Sequence, residues 1–166
     1  MRKVIVIGCP GSGKSTFSKA LHAATGLPLY HLDMMHWNAD ATEVEKSVFM
    51  ERLHRVLEQA AWIIDGNYRS TMELRMQHCD TVFFLDYPTD VCLDGIKSRK
   101  GKERTDIPCQ MPENDDEEFV EFIRNYNSVN RPEVLQLLRR YSDKDVIVFK
   151  SREEADKYIS DIYHLD

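Results

Sequence analysis

The sequence predicts a three-layer α/β fold in which a five-stranded parallel sheet carries helices on both faces. Two observations predict it. Strand-like and helix-like segments alternate along the whole chain, the pattern that builds a parallel sheet through helical crossovers. Four of the five strand segments are continuous apolar runs, as strands buried on both faces must be.

Residues 3–7 read Lys-Val-Ile-Val-Ile, a short β-branched run that suits a buried strand. Gly8 to Gly13 breaks it, and Phe17, Ala20, Leu21 and Ala24 then recur at helical spacing until Gly26 and Pro28 end the helix. A second strand is expected over 29–32, followed by Asp33. Thr42 and Glu45 have the spacing of a capping box ahead of a helix whose apolar face is Val44, Val48, Phe49, Leu53, Val56 and Leu57. Residues 62–64 make the third strand, 70–78 a short helix, and 81–85 the fourth strand. Pro88 is placed for the first turn of a helix running to about Ser98. The stretch 97–112 is polar, basic and punctuated by Gly101, Pro108 and Pro112, so it reads as a long loop.

Beyond it, the acidic run 113–118 complements the start of a helix. Phe119, Phe122, Ile123, Tyr126 and Val129 continue its apolar face. Pro132 either kinks this helix or begins a second one with Val134, Leu135, Leu137 and Leu138. The last strand lies within 145–149, and Ser151 with Glu154 caps the final helix.

The 166 residues suit a single domain over 1–166. The formal net charge of -6 argues against a protein that coats nucleic acid through its overall field. No apolar run reaches the roughly 18 residues that span a membrane. The N-terminus enters a strand directly, so a cytoplasmic location is expected. Cys9, Cys79, Cys92 and Cys109 form no CxxC pair and read as reduced thiols. Cys9 lies where a helix N-terminus lowers a thiol pKa, which leaves a redox role as its alternative. The scattered histidines form no transition-metal pattern.

Gly8-x-x-x-x-Gly13-Lys14-Ser15 matches GxxxxGK[ST] at every fixed position, between a buried strand and an amphipathic helix. Glycines let backbone N–H groups converge on phosphate oxygens, and the helix start adds its positive end. Lys14 is expected to reach the β- and γ-phosphates and Ser15 to ligate Mg²⁺. The chain therefore reads as a P-loop NTPase fold that holds ATP and Mg²⁺ through Gly8, Pro10, Gly11, Ser12, Gly13, Lys14, Ser15 and Thr16.

The block Trp62 to Thr71, Trp-Ile-Ile-Asp-Gly-Asn-Tyr-Arg-Ser-Thr, resembles the Asp-Gly-Phe-Pro-Arg-Thr segment of adenylate kinases, with Asn-Tyr in place of Phe-Pro. With Tyr30-His31-Leu32-Asp33, Trp37, Phe84-Leu85-Asp86 and Arg131-Pro132, nearly the whole chain is similar to adenylate-kinase-like P-loop proteins often labelled DNA topology modulation proteins (FlaR-related). The resemblance implies a sheet of the nucleoside-monophosphate-kinase type, a phosphate-gripping Arg69, and a short lid over 97–112. It also implies a second phosphate-contacting arginine, Arg131, after the lid.

Arg69, Asp33 and Asp65 each follow a strand, and so belong at the carboxyl edge of the sheet, where ligands bind in open α/β folds. Asp33 and Asp65 are candidates to orient an acceptor hydroxyl or hold Mg²⁺, Asp65 through water. Asp86 also ends a strand, with a metal role and a structural one both open. Lys97, Arg99, Lys100, Lys102 and Arg104 crowd one stretch, with Arg99 and Arg104 the expected triphosphate contacts because Arg binds phosphate bidentately. The acceptor pocket is expected among residues 33–69, with His36 a candidate lining group and Trp37 a packed one. The function expected is transfer of the γ-phosphoryl group to a small-molecule acceptor, a nucleotide among the candidates. The alternative is a regulatory NTPase acting on DNA topology or a protein partner.

Overall fold

The alternating sequence folds into a parallel sheet with strand order β2-β3-β1-β4-β5. The computed structural model describes residues 1–99, 101–109 and 117–163. In chain order these residues form β1 (Lys3–Gly8), α1 (Lys14–Thr25), β2 (Leu29–His31), α2 (Leu32–His36), α3 (Lys46–Leu57), β3 (Trp62–Asp65), α4 (Arg69–His78), β4 (Thr81–Leu85), α5 (Thr89–Lys97), α6 (Glu117–Arg140), β5 (Asp145–Phe149) and α7 (Arg152–Tyr163). All four strand pairings are parallel, with Val4 opposite Ile63 and Ile7 opposite Phe84.

The continuous apolar runs are explained by two cores, one on each face. Ile5, Ile7, Trp62, Ile64, Val82 and Phe84 point into one, against α3, α4 and α6. Val4, Val6, Ile63, Phe83 and Leu85 point into the other, against α1, α5 and α7. Period-two alternation is present but invisible in composition, because both faces are dry.

Several expectations need correction. Thr42 does not cap a helix: its hydroxyl donates to Asp40 at 2.6 Å, and α3 begins after Glu45 with no side-chain cap. Val44 lies before that helix, where its N–H donates to His36 O at 2.8 Å. The second strand is shorter than expected, and Asp33 stands in the first turn of the short helix α2. Phe122 and Val129 are exposed rather than buried on the apolar face of α6. Pro132 lies inside one 24-residue helix, α6. An interior proline costs roughly 3 kcal/mol. Burial of Ile123, Tyr126, Val134 and Leu138 along the same helix, at roughly 1.5–3 kcal/mol each, outweighs it. The cap at α7 is present: Glu154 N–H donates to Ser151 Oγ at 3.3 Å, and the Glu154 carboxylate accepts from Lys150 N–H at 2.7 Å. The first four residues of the expected acidic run, 113–116, lie outside the described residues, as do Lys100 and 110–112.

Parallel order brings the ends of β1, β2, β3 and β4 to one edge. There the loop after β1 touches α5. A Cβ built on Gly95 would sit 2.0 Å from Gly11 O and 2.8 Å from Arg152 Nη2. Among the described residues, no helix is long and apolar enough to cross a membrane.

In an ordinary helix interior, glycine-to-alanine substitution stabilises by up to about 1 kcal/mol. Gly95→Ala is expected to do the opposite, lowering stability by about 2 kcal/mol because backbone must move. Thermal unfolding checks the sign.

Candidate active site

The loop 8–15 turns back on itself because its glycines adopt backbone conformations closed to other residues. Gly11 has φ +84° and Gly13, the residue before α1, has φ +93°. Gly13 meets no atom within 4 Å of a built Cβ, so only its backbone conformation demands glycine there. Lys14 folds over the loop and donates to Gly8 O at 2.9 Å and Cys9 O at 3.1 Å. Burial and the nearby Arg99 guanidinium push its ammonium pKa down. Arg152, from α7, holds Gly11 O at 3.2 Å. Thr16 is exposed and Pro10 half-buried at the loop's rim.

Asn67 clasps this loop from the β3–α4 turn. Its Oδ1 accepts from Gly8 N–H at 3.2 Å and its Nδ2 donates to Gly8 O at 2.6 Å. The turn is held from beneath by Arg75, which is fully buried. Its guanidinium donates to Gly66 O at 2.9 Å, Asn67 O at 2.5 Å and Tyr68 O at 3.3 Å. Tyr68 carries φ +24°, a strained value for a side chain of that size. Its hydroxyl donates to Asp33 Oδ1 at 2.7 Å. Asp65 is 4% exposed; its Oδ1 lies 2.9 Å from His31 Nδ1, and its Oδ2 is buried with no hydrogen-bond partner.

The stretch 101–109 meets the loop through a residue that the cations of the sequence concealed. Asp106 is 6% exposed and accepts from Ser15 Oγ at 2.7 Å. Arg104 grips it with two hydrogen bonds, Nε to Oδ1 at 3.0 Å and Nη2 to Oδ2 at 2.8 Å. Burial opposes the Asp106 charge, and the bonds from Arg104 and Ser15 outweigh it, holding the carboxyl well below the usual range. Arg104 Nη2 also reaches Asp33 Oδ2 at 3.3 Å. Lys19 ties α1 to Thr105 at 2.6 Å. Burial, then Arg104, pushes the half-buried Arg99 guanidinium pKa down. The structure thus gathers Lys14, Ser15, Asp33, Arg99 and Arg104 of the expected set around one edge, with Asp65 close to Lys14.

Two expected residues stand apart. Arg69 pairs with Glu133 of α6 on an exposed flank. Arg131 is engaged by Asp86, Nε to Oδ1 at 2.7 Å and Nη2 to Oδ2 at 2.8 Å, and Lys150 pairs with the same carboxylate. Among the described residues, no hydrogen bond joins this cluster to the Ser15–Asp106 network. Cys9 departs from expectation in direction: a hydrogen bond with Cys92 and burial raise its pKa, overriding the helix start. Rings pack together in part of the expected acceptor region. His36 stacks near Tyr68 at 4.9 Å and Trp37 at 5.0 Å, and Phe49 lies 5.4 Å from Tyr68.

Asn67, Arg75 and Asp106 carry the geometry without having been singled out in the sequence. Arg75 had a signal, falling three residues from Met72 and one from Met76, on the buried stripe of its helix. Asp106 had a weaker one, an acid following a cluster of cations.

No protein-family model matches the chain. It is similar to adenylate kinases of Thermotoga maritima, 28% identical over 112 residues, and Thermotoga petrophila, 27% identical over 112 residues. Each match covers 63% of this chain and 50% of the relative, so the aligned chain spans about half the length of these relatives. The fold matches solved structures across nearly its full length. A shikimate kinase from Acinetobacter baumannii in complex with shikimate has TM-score 0.64 at 15% identity, covering 99% of this chain and 92% of that one. A shikimate kinase from Bacteroides thetaiotaomicron has TM-score 0.54 at 21% identity, covering 98% and 96%. The five-stranded parallel sheet with its helices is the P-loop α/β fold of the nucleoside-monophosphate-kinase type.

A carboxyl with a depressed native pKa stabilises above its unfolded value and loses that contribution only as pH falls through the native one. The Asp106 latch is therefore expected to hold unchanged from pH 5 to pH 8. Asp106→Asn is expected to release it, raising the rate of limited proteolysis within 101–109 about tenfold at neutral pH, whereas wild type shows no pH dependence over that range.

Proposed function

We propose that this chain is an ATP- and Mg²⁺-dependent phosphotransferase that moves the γ-phosphoryl group to the hydroxyl of a small molecule. One observation carries the reading: a complete phosphate loop, two lid guanidiniums and the carboxylates of Asp33 and Asp65 meet at one sheet edge. Relatives named adenylate kinase and structural neighbours named shikimate kinase support transfer of phosphate as the class of reaction. Their named acceptors differ, so they leave the acceptor open. The resemblance to proteins labelled for DNA topology supports the same fold and names no chemistry.

The residues fit the implied nucleotide and cation. Gly8 and Gly11 lie too close to the Leu85 and Cys92 backbones to carry a Cβ, and Gly13 enters α1 with φ +93°, the kind of glycine path that turns backbone N–H groups toward phosphate. The Asp65 Oδ2 atom is buried without a partner, and oxygen donors of this kind suit Mg²⁺. Gly8, Pro10, Gly11, Ser12, Gly13, Lys14, Ser15, Thr16 and Arg99 would hold the triphosphate, with Ser15 and, through water, Asp65 holding the cation. When bound, ATP–Mg²⁺ supplies the phosphoryl group and offsets its charge.

Phosphoryl transfer needs positioning and cations more than covalent help. Lys14, now on the Gly8 and Cys9 carbonyls, is the ammonium that exchanges those oxygens for phosphate. Arg104 is held by acids it can leave for a better-charged partner. Arg99 has no ion pair among the described residues, so it offers a guanidinium at no cost in broken contacts. Asp33 and Asp65 orient the acceptor hydroxyl, and one of these carboxylates takes up its proton. Arg69 and Arg131 stand further out, paired with Glu133 and Asp86, as supporting cations at the edge of the site.

ADP release across a library of alcohols and nucleotides tests this. Acceptor-dependent release above background is expected, Lys14→Ala reduces it to background, and Asp65→Asn lowers it by about a hundredfold or more. A library-wide absence of acceptor-dependent release would sink the proposal.

A further inference from the structure

The acceptor has a place in this fold outside the region that the rings of His36, Trp37, Phe49 and Tyr68 fill. Between α4 and α6 lies a cavity of about 610 Å³, within the range of small-molecule sites. Asn67 lines one end of it. The same side chain holds Gly8 of the phosphate loop through both of its polar atoms. The cavity therefore abuts the structure that grips the loop.

Its chemistry is selective. Met72, Val134 and the ring of Phe122 give it an apolar wall. Phe122 is 42% exposed, a large ring uncovered at a cavity mouth. Asn130 also lines the cavity and is 7% exposed. The hydroxyl of Tyr126, another lining residue, is buried with no hydrogen-bond partner, and a buried polar group left unmatched is destabilising. A ligand hydroxyl or carbonyl would satisfy it.

The charges exclude one large class of acceptor. Arg69 is the one cation lining the cavity among the described residues, and it already pairs with Glu133, which lines the same wall. Glu73, a second acid of the lining, accepts from Arg140 and from the Tyr141 hydroxyl. A phosphomonoester brings a charge of about -1.5 to -2. It would find no free cation among the described lining residues, since Arg69 is held by Glu133, and the neighbouring Arg140 by Glu73.

We propose that this cavity binds the acceptor, and that the acceptor is an uncharged, hydroxyl-bearing ring compound of nucleoside size rather than a phosphorylated one. Calling the ligand an acceptor rests on the phosphotransferase reading; the binding preference rests on the cavity alone. In the transfer, the acceptor hydroxyl oxygen forms the new bond to the γ-phosphorus. The bond from that phosphorus to the β–γ bridging oxygen breaks with its electron pair to ADP, and the hydroxyl proton is released.

Calorimetric titration of the full chain with adenosine and thymidine, beside AMP and dTMP, tests the preference. Each nucleoside is expected to bind at least about tenfold more tightly than its monophosphate. Val134→Trp, which fills the cavity, is expected to abolish nucleoside binding. Glu133→Lys is an exposed change that frees Arg69 and adds a cation, so it is expected to remove or reverse the preference even if Val134→Trp does not fold. Tighter monophosphate binding by wild type overturns the proposal, as does absence of binding by all four probes. Nucleoside affinity that survives in a folded Val134→Trp also overturns it, and so does an unchanged preference in Glu133→Lys. ADP release measured on the same samples separates the two claims. Nucleoside binding without turnover supports the pocket and fails the transferase reading. Turnover of monophosphates alone keeps the transferase reading and overturns the pocket.

Discussion

The geometry of the candidate site depends on how one residue, Gly8, is held. Its N–H and its C=O both meet the Asn67 side chain, and its C=O also accepts from Lys14. A backbone that turns sharply after a buried strand leaves polar groups that nothing in the sheet can satisfy. Asn67 answers two of them at once and so joins the β1 loop to the β3–α4 turn. That turn is fixed in its own right by three carbonyl bonds to Arg75. Removing Arg75 leaves three carbonyls without this donor, and each hydrogen bond from a charged group contributes about 1.5–3 kcal/mol. The chain from Met72 and Met76, through Arg75 and Asn67, to the phosphate loop is one rigid path from core to site.

Charge organises what that path positions. Lys14, Arg99 and Arg104 lie among Asp33, Asp65 and Asp106, so opposite charges meet at short range in a partly dry setting, where attraction is several-fold stronger than in water. The Asp106 carboxylate is what Ser15 and Arg104 share. It binds them as a phosphate oxygen would, one hydroxyl and one bidentate guanidinium at a time. The stretch holding Arg104 and Asp106, the loop and the start of α2 are thereby tied into one hydrogen-bonded run from Ser15 to Tyr68. In the proposed function, an entering triphosphate competes with Asp106 for Ser15 and Arg104.

Much of this was legible in the residues. The apolar runs of β1, β3 and β4 and the motif from Gly8 to Ser15 required the sheet, its parallel sense and the phosphate loop together. Asp33 and Asp65 were legible because parallel strands deliver their carboxyl ends to one edge. Long-range partners were not legible. Nothing local tells that Arg69 faces Glu133, or that Asp86 faces Arg131 and Lys150, since each pair joins elements far apart in sequence. The Thr42 hydroxyl donates to nearby Asp40 and accepts from no helix N–H, and local competition of that kind decides caps. Asp106 was obscured by its neighbours, whose positive charge drew the reading toward phosphate and away from the acid they hold.

The clasp of Gly8 by Asn67 is open to direct measurement. Asn67→Ala removes both bonds and leaves the Arg75 anchor and the sheet intact. Calorimetric affinity for ATP–Mg²⁺, measured with circular dichroism as the control for folding, should fall by about tenfold or more, the equivalent of one to two lost backbone hydrogen bonds. An Asn67→Ala protein that is folded and binds ATP–Mg²⁺ as tightly as wild type would contradict the dependence of the phosphate loop on this side chain.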